Sequence, residues 1–240
     1  MATLQIKNSG VAYTGPADDL EVLRAQFAQQ HFVKFDGLLE PKLLTSLQTR
    51  VDDGEFYERV HDQIGPNREL CMRDNAASAA LMFLVNDKKL FQVIQDVTGC
   101  DAIGCFQGRV YRVEPDREHH DSWHDDVGED RLLGMSINLS SQDYAGGVLQ
   151  LRERSSGEIV AEAPNAGRGD AVVFRLSNRF QHRITNVEGA VAKTAFAGWF
   201  RAQPDFLSML RSETLFGREV KALRSPSLAT SGVLSAPVKV

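Results

Sequence analysis

The sequence predicts a mixed α+β fold, with helices first, then a β core of two sheets, then a helix and a tail. Apolar residues recur at helical spacing up to about residue 100. From residue 103 they occur in short β-like runs separated by glycine-containing turns. Many short strands at such spacing are typical of a sandwich or jelly roll. We expect a single domain over residues 1–220, with a helical cover over about 18–100 and a β core over about 103–202.

The composition is that of a globular protein and argues against several other classes. The 240 residues are 42% hydrophobic and 25% charged, which suits one large core better than two. A net charge of -5 gives no broad positive surface for nucleic acid. No apolar run approaches the roughly 18 residues that cross a membrane, and the N-terminus lacks the apolar stretch of a signal peptide. With only three cysteines, a disulfide framework is not expected, so we predict a cytoplasmic location.

The N-terminal part predicts an arm, a helix, a strand and a second helix. Residues 1–17 show little periodicity and predict a short strand or arm. Acids at 18–19 then mark the start of a helix, and alternation over 31–35 predicts a strand. Pro41 opens the next helix, because proline is favoured in a first helical turn.

A polar stretch follows, and two more helices lead up to the β core. Residues 52–70 are mostly polar and include glycine and proline, which predicts a long loop. Helices are expected over 76–84 and from a cap at 86–87 to about 98. Gly99 ends the second of them.

The second half of the chain predicts seven strands. They are expected over 103–113, 131–139, 148–152, 159–161, 170–174, 181–187 and 193–200. Pro204 opens a last helix, over about 204–216. Residues 221–240 are rich in serine, alanine and valine, and we expect a poorly ordered tail.

Three residues of this half predict a metal centre. His124 and Asp126 stand two positions apart, and such positions share one face of a β-strand. His182, on a later strand, would add a second imidazole. Two histidines and one carboxylate form the set that holds non-haem Fe(II) while leaving positions open for substrate and oxygen.

Lys193 is a candidate partner for this centre. It follows His182 by eleven residues, across a turn at 188–189. A hairpin of that length would bring Lys193 back alongside the His182 strand. Its ammonium would then pair, as a point charge, with an anionic co-substrate bound at the metal.

Several segments together resemble one family. They are Trp-His-Asp-Asp-Val-Gly at 123–128, Arg-Leu-Leu at 131–133, Ser-Ile-Asn-Leu-Ser at 136–140, Asp-Tyr-Ala-Gly-Gly-Val-Leu at 143–149, Gly-Asp-Ala-Val-Val-Phe at 169–174, His-Arg-Ile-Thr-Asn-Val at 182–187, then Lys193 and Trp-Phe at 199–200. Over about residues 103–202 the chain resembles the 2-oxoglutarate/Fe(II)-dependent oxygenases, and most of all their prolyl-4-hydroxylase-like branch.

The resemblance implies a double-stranded β-helix and a specific site. It implies Fe(II) held by His124, Asp126 and His182, with 2-oxoglutarate chelating the iron and its far carboxylate on Lys193. It also implies O2 as oxidant, succinate as co-product and ascorbate as a stimulant. Related halogenases carry a small residue where Asp126 stands, so the carboxylate favours hydroxylation of an unactivated C–H bond, or a desaturation or ring-forming variant.

The co-substrate site departs from the family pattern in two respects. Many relatives have arginine where Lys193 stands, and many have a hydroxyl residue two positions later, where this chain has Ala195. We expect Thr194 to supply that hydroxyl, and Tyr111 to add a second donor to the 2-oxoglutarate site.

A second His-x-Asp pair, His119 and Asp121, is an alternative for the first two metal ligands. The match of 123–128 to the family motif favours His124 and Asp126. The earlier pair is then interpreted as part of a solvated loop at the mouth of the site.

We expect other residues near the motif to have structural roles. Arg131 is expected to support the core strand, and Trp123 and Trp199 to pack. None of these residues indicates an oligomeric state.

The expected substrate is a small metabolite, such as an amino acid or a natural-product intermediate. A peptide or protein side chain is the alternative within the same class. A non-catalytic cupin-like metal- or ligand-binding protein is the alternative of another class, and a zinc hydrolase using the same three ligands is a third.

Overall fold

The computed structural model describes residues 3–61, 67–115, 122–128, 130–164 and 167–211. The chain divides into two compact units, residues 1–206 and 207–240, and residues 207–211 are the described part of the second. The pair His119/Asp121, the end of the last predicted helix and the tail lie outside the described residues. The single domain expected over 1–220 stays a prediction.

In the described residues, four helices and five strands precede residue 99, nine strands follow from residue 105, and a fifth helix comes last. The helices are α1 Ala17–Gln30, α2 Pro41–Asp52, α3 Ala76–Val85, α4 Lys88–Thr98 and α5 Phe206–Arg211. The strands are β1 Thr3–Lys7, β2 Gly10–Thr14, β3 Phe32–Phe35, β4 Phe56–His61, β5 Asn67–Met72, β6 Cys105–Val113, β7 Arg131–Asn138, β8 Ala145–Gly146, β9 Leu149–Glu153, β10 Ile159–Ala163, β11 Ala171–Arg175, β12 Phe180–Ile184, β13 Val187–Glu188 and β14 Lys193–Arg201.

Two sheets form the β core. The major sheet has seven antiparallel strands in the order β3-β11-β7-β14-β6-β5-β4, and the minor sheet has the order β10-β9-β12. Along the chain, β7, β11 and β14 of the major sheet alternate with β9 and β12 of the minor sheet. This alternation is the winding of a double-stranded β-helix, and it confirms the predicted mixed α+β class.

The space between the sheets is called the interior below. Val172 and Phe174 of the major sheet pack there against Leu149 and Leu151 of the minor sheet. The opposite face of the major sheet packs against the helices in a larger cluster of buried side chains. The major sheet therefore separates a hydrophobic core from the interior.

Helices α2, α3 and α4 begin and end close to the predicted positions, whereas α5 begins at Phe206 and not at Pro204. Pro41 occupies the first turn of α2. Asp87 caps α4 by accepting a hydrogen bond from the Lys89 amide at 2.7 Å. Gly99 ends α4 with φ +65°, a left-handed conformation that glycine adopts without strain.

The polar stretch 52–70 is not the predicted long loop, because β4 and β5 pair there as antiparallel strands. Phe56 and Met72 face each other across this pair, and β5 also pairs with β6 at Leu70↔Arg112 and Cys71↔Tyr111. Charged side chains can occupy such strands because they lie at the edge of the sheet, where one strand face is solvated.

Two other predictions need smaller corrections. The arm predicted over 1–17 contains the paired strands β1 and β2. The strand predicted over 181–187 is divided into β12 and β13, which belong to different sheets. Among the described residues, no helix is long and apolar enough to cross a membrane.

Candidate metal centre

His124, Asp126 and His182 meet in the interior, as the sequence predicts. Asp126 Oδ2 lies 3.6 Å from His124 Nε2 and 3.4 Å from His182 Nε2. The three ligand atoms all lie within 4.8 Å of one another. One ion can therefore contact all three groups.

The backbone joins the two histidines directly. His124 and His182 form an isolated antiparallel bridge, in which each amide donates to the other's carbonyl, at 3.1 and 2.7 Å. The segment that carries His124 thereby extends the edge of the minor sheet beside β12. His182 is buried against the Phe174 ring, with centroids 4.8 Å apart.

The ring of His124 has a defined tautomer. Its Nδ1 lies 2.8 Å from the carbonyl oxygen of Ser122. A carbonyl can only accept, so Nδ1 must carry the proton and donate it. The Nε2 lone pair is then directed toward Asp126 and is available to a metal ion.

Asp126 reaches the centre through a conformation that the sequence argument did not foresee. Its φ is +53°, in the left-handed region, and only His124 of this segment makes a β-bridge. The shared strand face is thus the wrong reason for a correct pairing. A left-handed turn directs the carboxylate to the imidazole, and Asp tolerates this conformation better than most residues do.

Two side chains orient the Asp126 carboxylate. Trp199 Nε1 donates to Oδ2 at 3.0 Å, and Arg131 Nη1 lies 3.4 Å from Oδ1. The Arg131 guanidinium also stacks on the Trp199 ring, 3.9 Å from its centroid. The predictions that Trp199 only packs and that Arg131 only supports a core strand missed these contacts.

The Asp126 carboxylate is held in its charged form. Burial alone would raise the pKa of this group, but the neighbouring imidazoles of His124 and His182 outweigh burial and hold the pKa far below its usual range. A charged carboxylate beside two imidazoles is a donor set that suits a divalent cation.

Lys193 is buried in the interior but not by the route predicted. It opens β14 of the major sheet, whereas His182 lies on β12 of the minor sheet, so the two strands are not a hairpin. The chain crosses between the sheets after β13, and Lys193 faces the minor sheet from the opposite side. It is 1% exposed, and its Nζ donates to the Gly147 carbonyl at 2.8 Å.

The approach of Lys193 to the minor sheet depends on a glycine. Gly147 has φ +61°, and a Cβ added there would lie 2.9 Å from Lys193 Cδ. Lys193 Nζ also lies 5.9 Å from the centroid of the Tyr144 ring. The Gly-Gly at 146–147 thus contributes to the site as well as forming a turn.

Tyr111 and Thr194 lie on opposite faces of the major sheet. Tyr111 pairs with Ala195, and Lys193 lies two residues from Ala195, so Tyr111 shares the interior face with Lys193. Thr194 faces the helices, and its Oγ1 accepts from Arg112 Nε at 3.0 Å. The structure does not bring Thr194 together with Lys193.

The alternation of β14 could have revealed Trp199 in the sequence. Lys193, Ala195, Ala197 and Trp199 occupy alternate positions, so a lysine assigned to the interior implies a tryptophan there too. No comparable signal marked Arg131, because its role depends on the left-handed turn at Asp126.

The comparisons with known proteins agree with this geometry. The family model of the 2OG-Fe(II) oxygenase superfamily matches residues 106–201, which include all three candidate metal ligands and Lys193. No curated protein sequence matches the chain significantly.

Solved structures share the fold at low sequence identity. An oxidoreductase of the 2OG-Fe(II) oxygenase family from Burkholderia pseudomallei is 15% identical, with a TM-score of 0.60 over 85% of this chain and 97% of that one. A prolyl-4-hydroxylase from Pseudomonas putida is 18% identical, with a TM-score of 0.54 over 76% and 98%.

A natural-product enzyme has the same fold. The non-heme alpha-ketoglutarate-dependent epimerase SnoN from nogalamycin biosynthesis is 12% identical, with a TM-score of 0.55 over 78% of this chain and 84% of that one. At these identities the likeness establishes the double-stranded β-helix fold and leaves substrate and reaction outcome open. The family model places residues 106–201 with the 2OG-Fe(II) oxygenase superfamily, whose members use Fe(II), 2-oxoglutarate and O2.

Proposed function

We propose that this protein is an Fe(II)- and 2-oxoglutarate-dependent dioxygenase that hydroxylates an unactivated C–H bond of a small metabolite. The observation that carries the proposal is the meeting of His124, Asp126 and His182 in one interior that also contains the buried cation Lys193.

The three proposed ligands fit Fe(II) by their chemistry. Two imidazole nitrogens and one carboxylate oxygen occupy one face of an ion that accepts up to six ligands, so positions remain for other molecules. Hydrogen bonds to the ligands usually hold metal ligands in place. Here His124 Nδ1 donates to a carbonyl, and Trp199 and Arg131 donate to the Asp126 carboxylate.

Lys193 suits the distal carboxylate of 2-oxoglutarate. A buried ammonium can bind a carboxylate through a charge-assisted hydrogen bond, and Lys193 Nζ already donates to the Gly147 carbonyl. His182 pairs with Leu151 of β9, while Lys193 contacts Gly147, just before the same strand begins. A dicarboxylate lying along β9 would have one end toward the metal and the other toward Lys193. We include Tyr111 as a donor to the same molecule.

Each group of residues has a separate task in this mechanism. Bound Fe(II) and 2-oxoglutarate supply the oxidation by O2, with succinate and CO2 as co-products. His124, Asp126 and His182 hold the metal, and Lys193 orients the co-substrate. Phe174 and Leu151 keep the surroundings of His182 apolar, which limits access of water to the reacting atoms.

The choice of a small substrate is supported by the likeness to the epimerase from nogalamycin biosynthesis. A peptide or protein side chain is the alternative, because the neighbours include a prolyl-4-hydroxylase as well as the epimerase.

Anaerobic titration with Fe(II) and then 2-oxoglutarate tests the proposal. We expect the weak visible charge-transfer band of a chelated 2-oxoglutarate complex. His182→Ala should abolish the band. Asp125→Asn is a matched control, because Asp125 adjoins Asp126 but pairs with Arg154, and it should retain the band.

Metal binding without the band would contradict the proposal. A metal- or ligand-binding protein without turnover, or a zinc hydrolase, would then account better for the three ligands. Recovery of activity with Zn(II) in place of Fe(II) would identify the hydrolase.

A further inference from the structure

A buried glutamate joins two arginines on the interior face of the major sheet. Glu69 of β5 is 6% exposed. Arg109 of β6 donates to Glu69 Oε1 from Nε at 3.2 Å and from Nη2 at 2.6 Å. Arg59 Nη1 of β4 lies 3.8 Å from the same oxygen. These three residues are called the Glu69 cluster.

The Glu69 cluster carries one more positive charge than negative. A buried carboxylate needs a cation, and Arg109 alone would neutralise it. Arg59 adds a second guanidinium, and both arginine side chains remain accessible, 32% for Arg109 and 42% for Arg59. Within these three residues two guanidiniums therefore face one carboxylate, and both guanidiniums are partly accessible to a ligand.

The strand register brings Arg109 close to the metal centre. Arg109 pairs with Ala197 of β14, and Ala197 lies two residues from Trp199, whose indole donates to Asp126. Strand spacings of about 4.8 Å between strands and about 6.8 Å per two residues put the Cα atoms of Arg109 and Trp199 about 8 Å apart. A small molecule can span such a distance.

The side chains between Arg109 and β7 are small. Ala197 pairs with Ser136 of β7 on one side and with Arg109 on the other. Ala195 stands next along the same face, opposite Tyr111. Short side chains therefore line this part of the interior face, beside the arginine and on the strand that carries Trp199.

We infer that Arg109, oriented by Glu69 and backed by Arg59, binds a carboxylate of the primary substrate. This inference rests on the proposed function and narrows its substrate to small molecules with a free carboxylate, amino acids among them. An arginine fork suits a carboxylate through two parallel hydrogen bonds, whereas Lys193 acts as a point charge. The substrate and 2-oxoglutarate would thus be recognised by different cations.

A purely structural role for Arg109 is the competing explanation. The register of β5 with β6 covers only Leu70↔Arg112 and Cys71↔Tyr111, so the ion pair with Glu69 also joins these strands. The two roles differ in what Arg109→Gln should change. A structural role affects stability alone, whereas substrate binding affects the response to acids in a folded enzyme.

The test measures succinate formation with Fe(II), 2-oxoglutarate and matched acid–amide pairs. The probes are the common L-amino acids, their carboxamides, and an acetylated peptide amide that has no free carboxylate. In the wild-type protein we expect one or more acids to raise the rate above the rate without substrate, and their amides not to. Arg109→Gln should need about 10- to 100-fold more acid, the cost of one lost charge-assisted hydrogen bond.

Two further variants separate binding from folding. Arg112→Gln is the matched control, because Arg112 is ion-paired on the same strand but faces away from the interior, toward Asp52. It should respond to acids as the wild type does. If Arg109→Gln lowers the melting temperature, the more exposed Arg59→Gln replaces it, and a several-fold weaker response to acids is expected.

Other results would overturn the inference. These are equal stimulation by acids and amides, stimulation by the capped peptide alone, no stimulation by any acid, or an unchanged response in folded Arg109→Gln and Arg59→Gln. If the wild type forms no succinate and gives no charge-transfer band, the proposed function itself fails.

Discussion

One carboxylate oxygen organises the metal centre at the scale of residues. Asp126 Oδ2 faces both imidazoles and also accepts the indole N–H of Trp199. Arg131 approaches the other oxygen and covers the Trp199 ring. With its two oxygens in different contacts, the carboxylate cannot rotate freely, and Oδ2 is kept toward the position of a metal ion.

Trp199→Phe tests this orientation. Phenylalanine keeps a ring beneath Arg131 but removes the N–H donor to Asp126. We expect metal affinity to fall about 10- to 100-fold, the usual cost of losing an outer-shell partner of a ligand. Titration with Mn(II), followed by electron paramagnetic resonance, measures the affinity. Trp123→Phe, at the chain's other tryptophan, should bind Mn(II) nearly as the wild type does, and equal losses in both variants would contradict the role of the indole.

Lys193→Ala tests the co-substrate site. Removing the ammonium should raise the 2-oxoglutarate concentration needed for half-maximal turnover by about 10- to 100-fold, because a charge-assisted hydrogen bond is lost. Affinity for Mn(II) should change little, since Lys193 lies on the other sheet from His182. An unchanged 2-oxoglutarate requirement would assign the distal carboxylate to another cation.

At the scale of elements, β14 serves two purposes through simple alternation. Phe196 and Phe200 contact the Phe106 ring on the helix side, at centroid distances of 5.6 and 5.0 Å. Lys193 and Trp199 face the interior. A strand buried on both faces reads as a nearly continuous apolar run, so its sequence predicts a strand but not which face holds the site.

The minor sheet holds the His124 segment by its outer face as well as by the His124–His182 bridge. The Trp123 ring lies between the guanidiniums of Arg152 and Arg183, each with Cζ 4.5 Å from a ring centroid. Arg152 belongs to β9 and Arg183 to β12. Because only one β-bridge joins this segment to β12, stacking supplies much of its attachment.

Trp123→Ala should therefore weaken the metal centre without contacting it. Two cation–π contacts of about 0.5–1 kcal/mol each are lost, which corresponds to about a tenfold weaker metal affinity if the segment must be ordered for binding. Isothermal titration with Mn(II) gives the affinity, and Trp123→Phe, which keeps a ring between the arginines, should lose less. Wild-type affinity in Trp123→Ala would show that the backbone bridge suffices.

At the scale of the whole molecule, local sequence signals predicted most helices and strands. Contacts between residues distant in sequence could not be predicted from them. Pro41, Asp87 and Gly99 mark helix ends because caps act within a few residues. The hairpin of β4 and β5 was missed because its charged residues are satisfied by neighbours distant in sequence, as Glu69 is by Arg109.

At the site, too, the residue types could be predicted from the sequence, whereas the path of the chain between the sheets could not. The convergence of His124, Asp126 and His182 was predicted from residue type and family motif, but the strand of Lys193 was assigned to the wrong sheet. A hairpin and a crossover between facing sheets both bring two residues near each other, so spacing alone cannot distinguish them. Arg131 and the Glu69 cluster depend on contacts that no sequence interval indicates.

Metal binding should stabilise the entire first unit, because its three ligands come from two distant parts of the chain. His124 and Asp126 precede β7, while His182 follows β11, and an ion that binds only when both parts are folded shifts unfolding by mass action. At a free metal concentration 100 times the dissociation constant, the gain is about 2.7 kcal/mol. For a unit of this size that is a rise of about 5–10 °C in melting temperature. Anaerobic thermal scans with Fe(II) or Mn(II) measure it, and 2-oxoglutarate should add to the rise only when metal is present. His182→Ala should show neither effect, and an equal rise in that variant would mean that the metal stabilises the protein from another place.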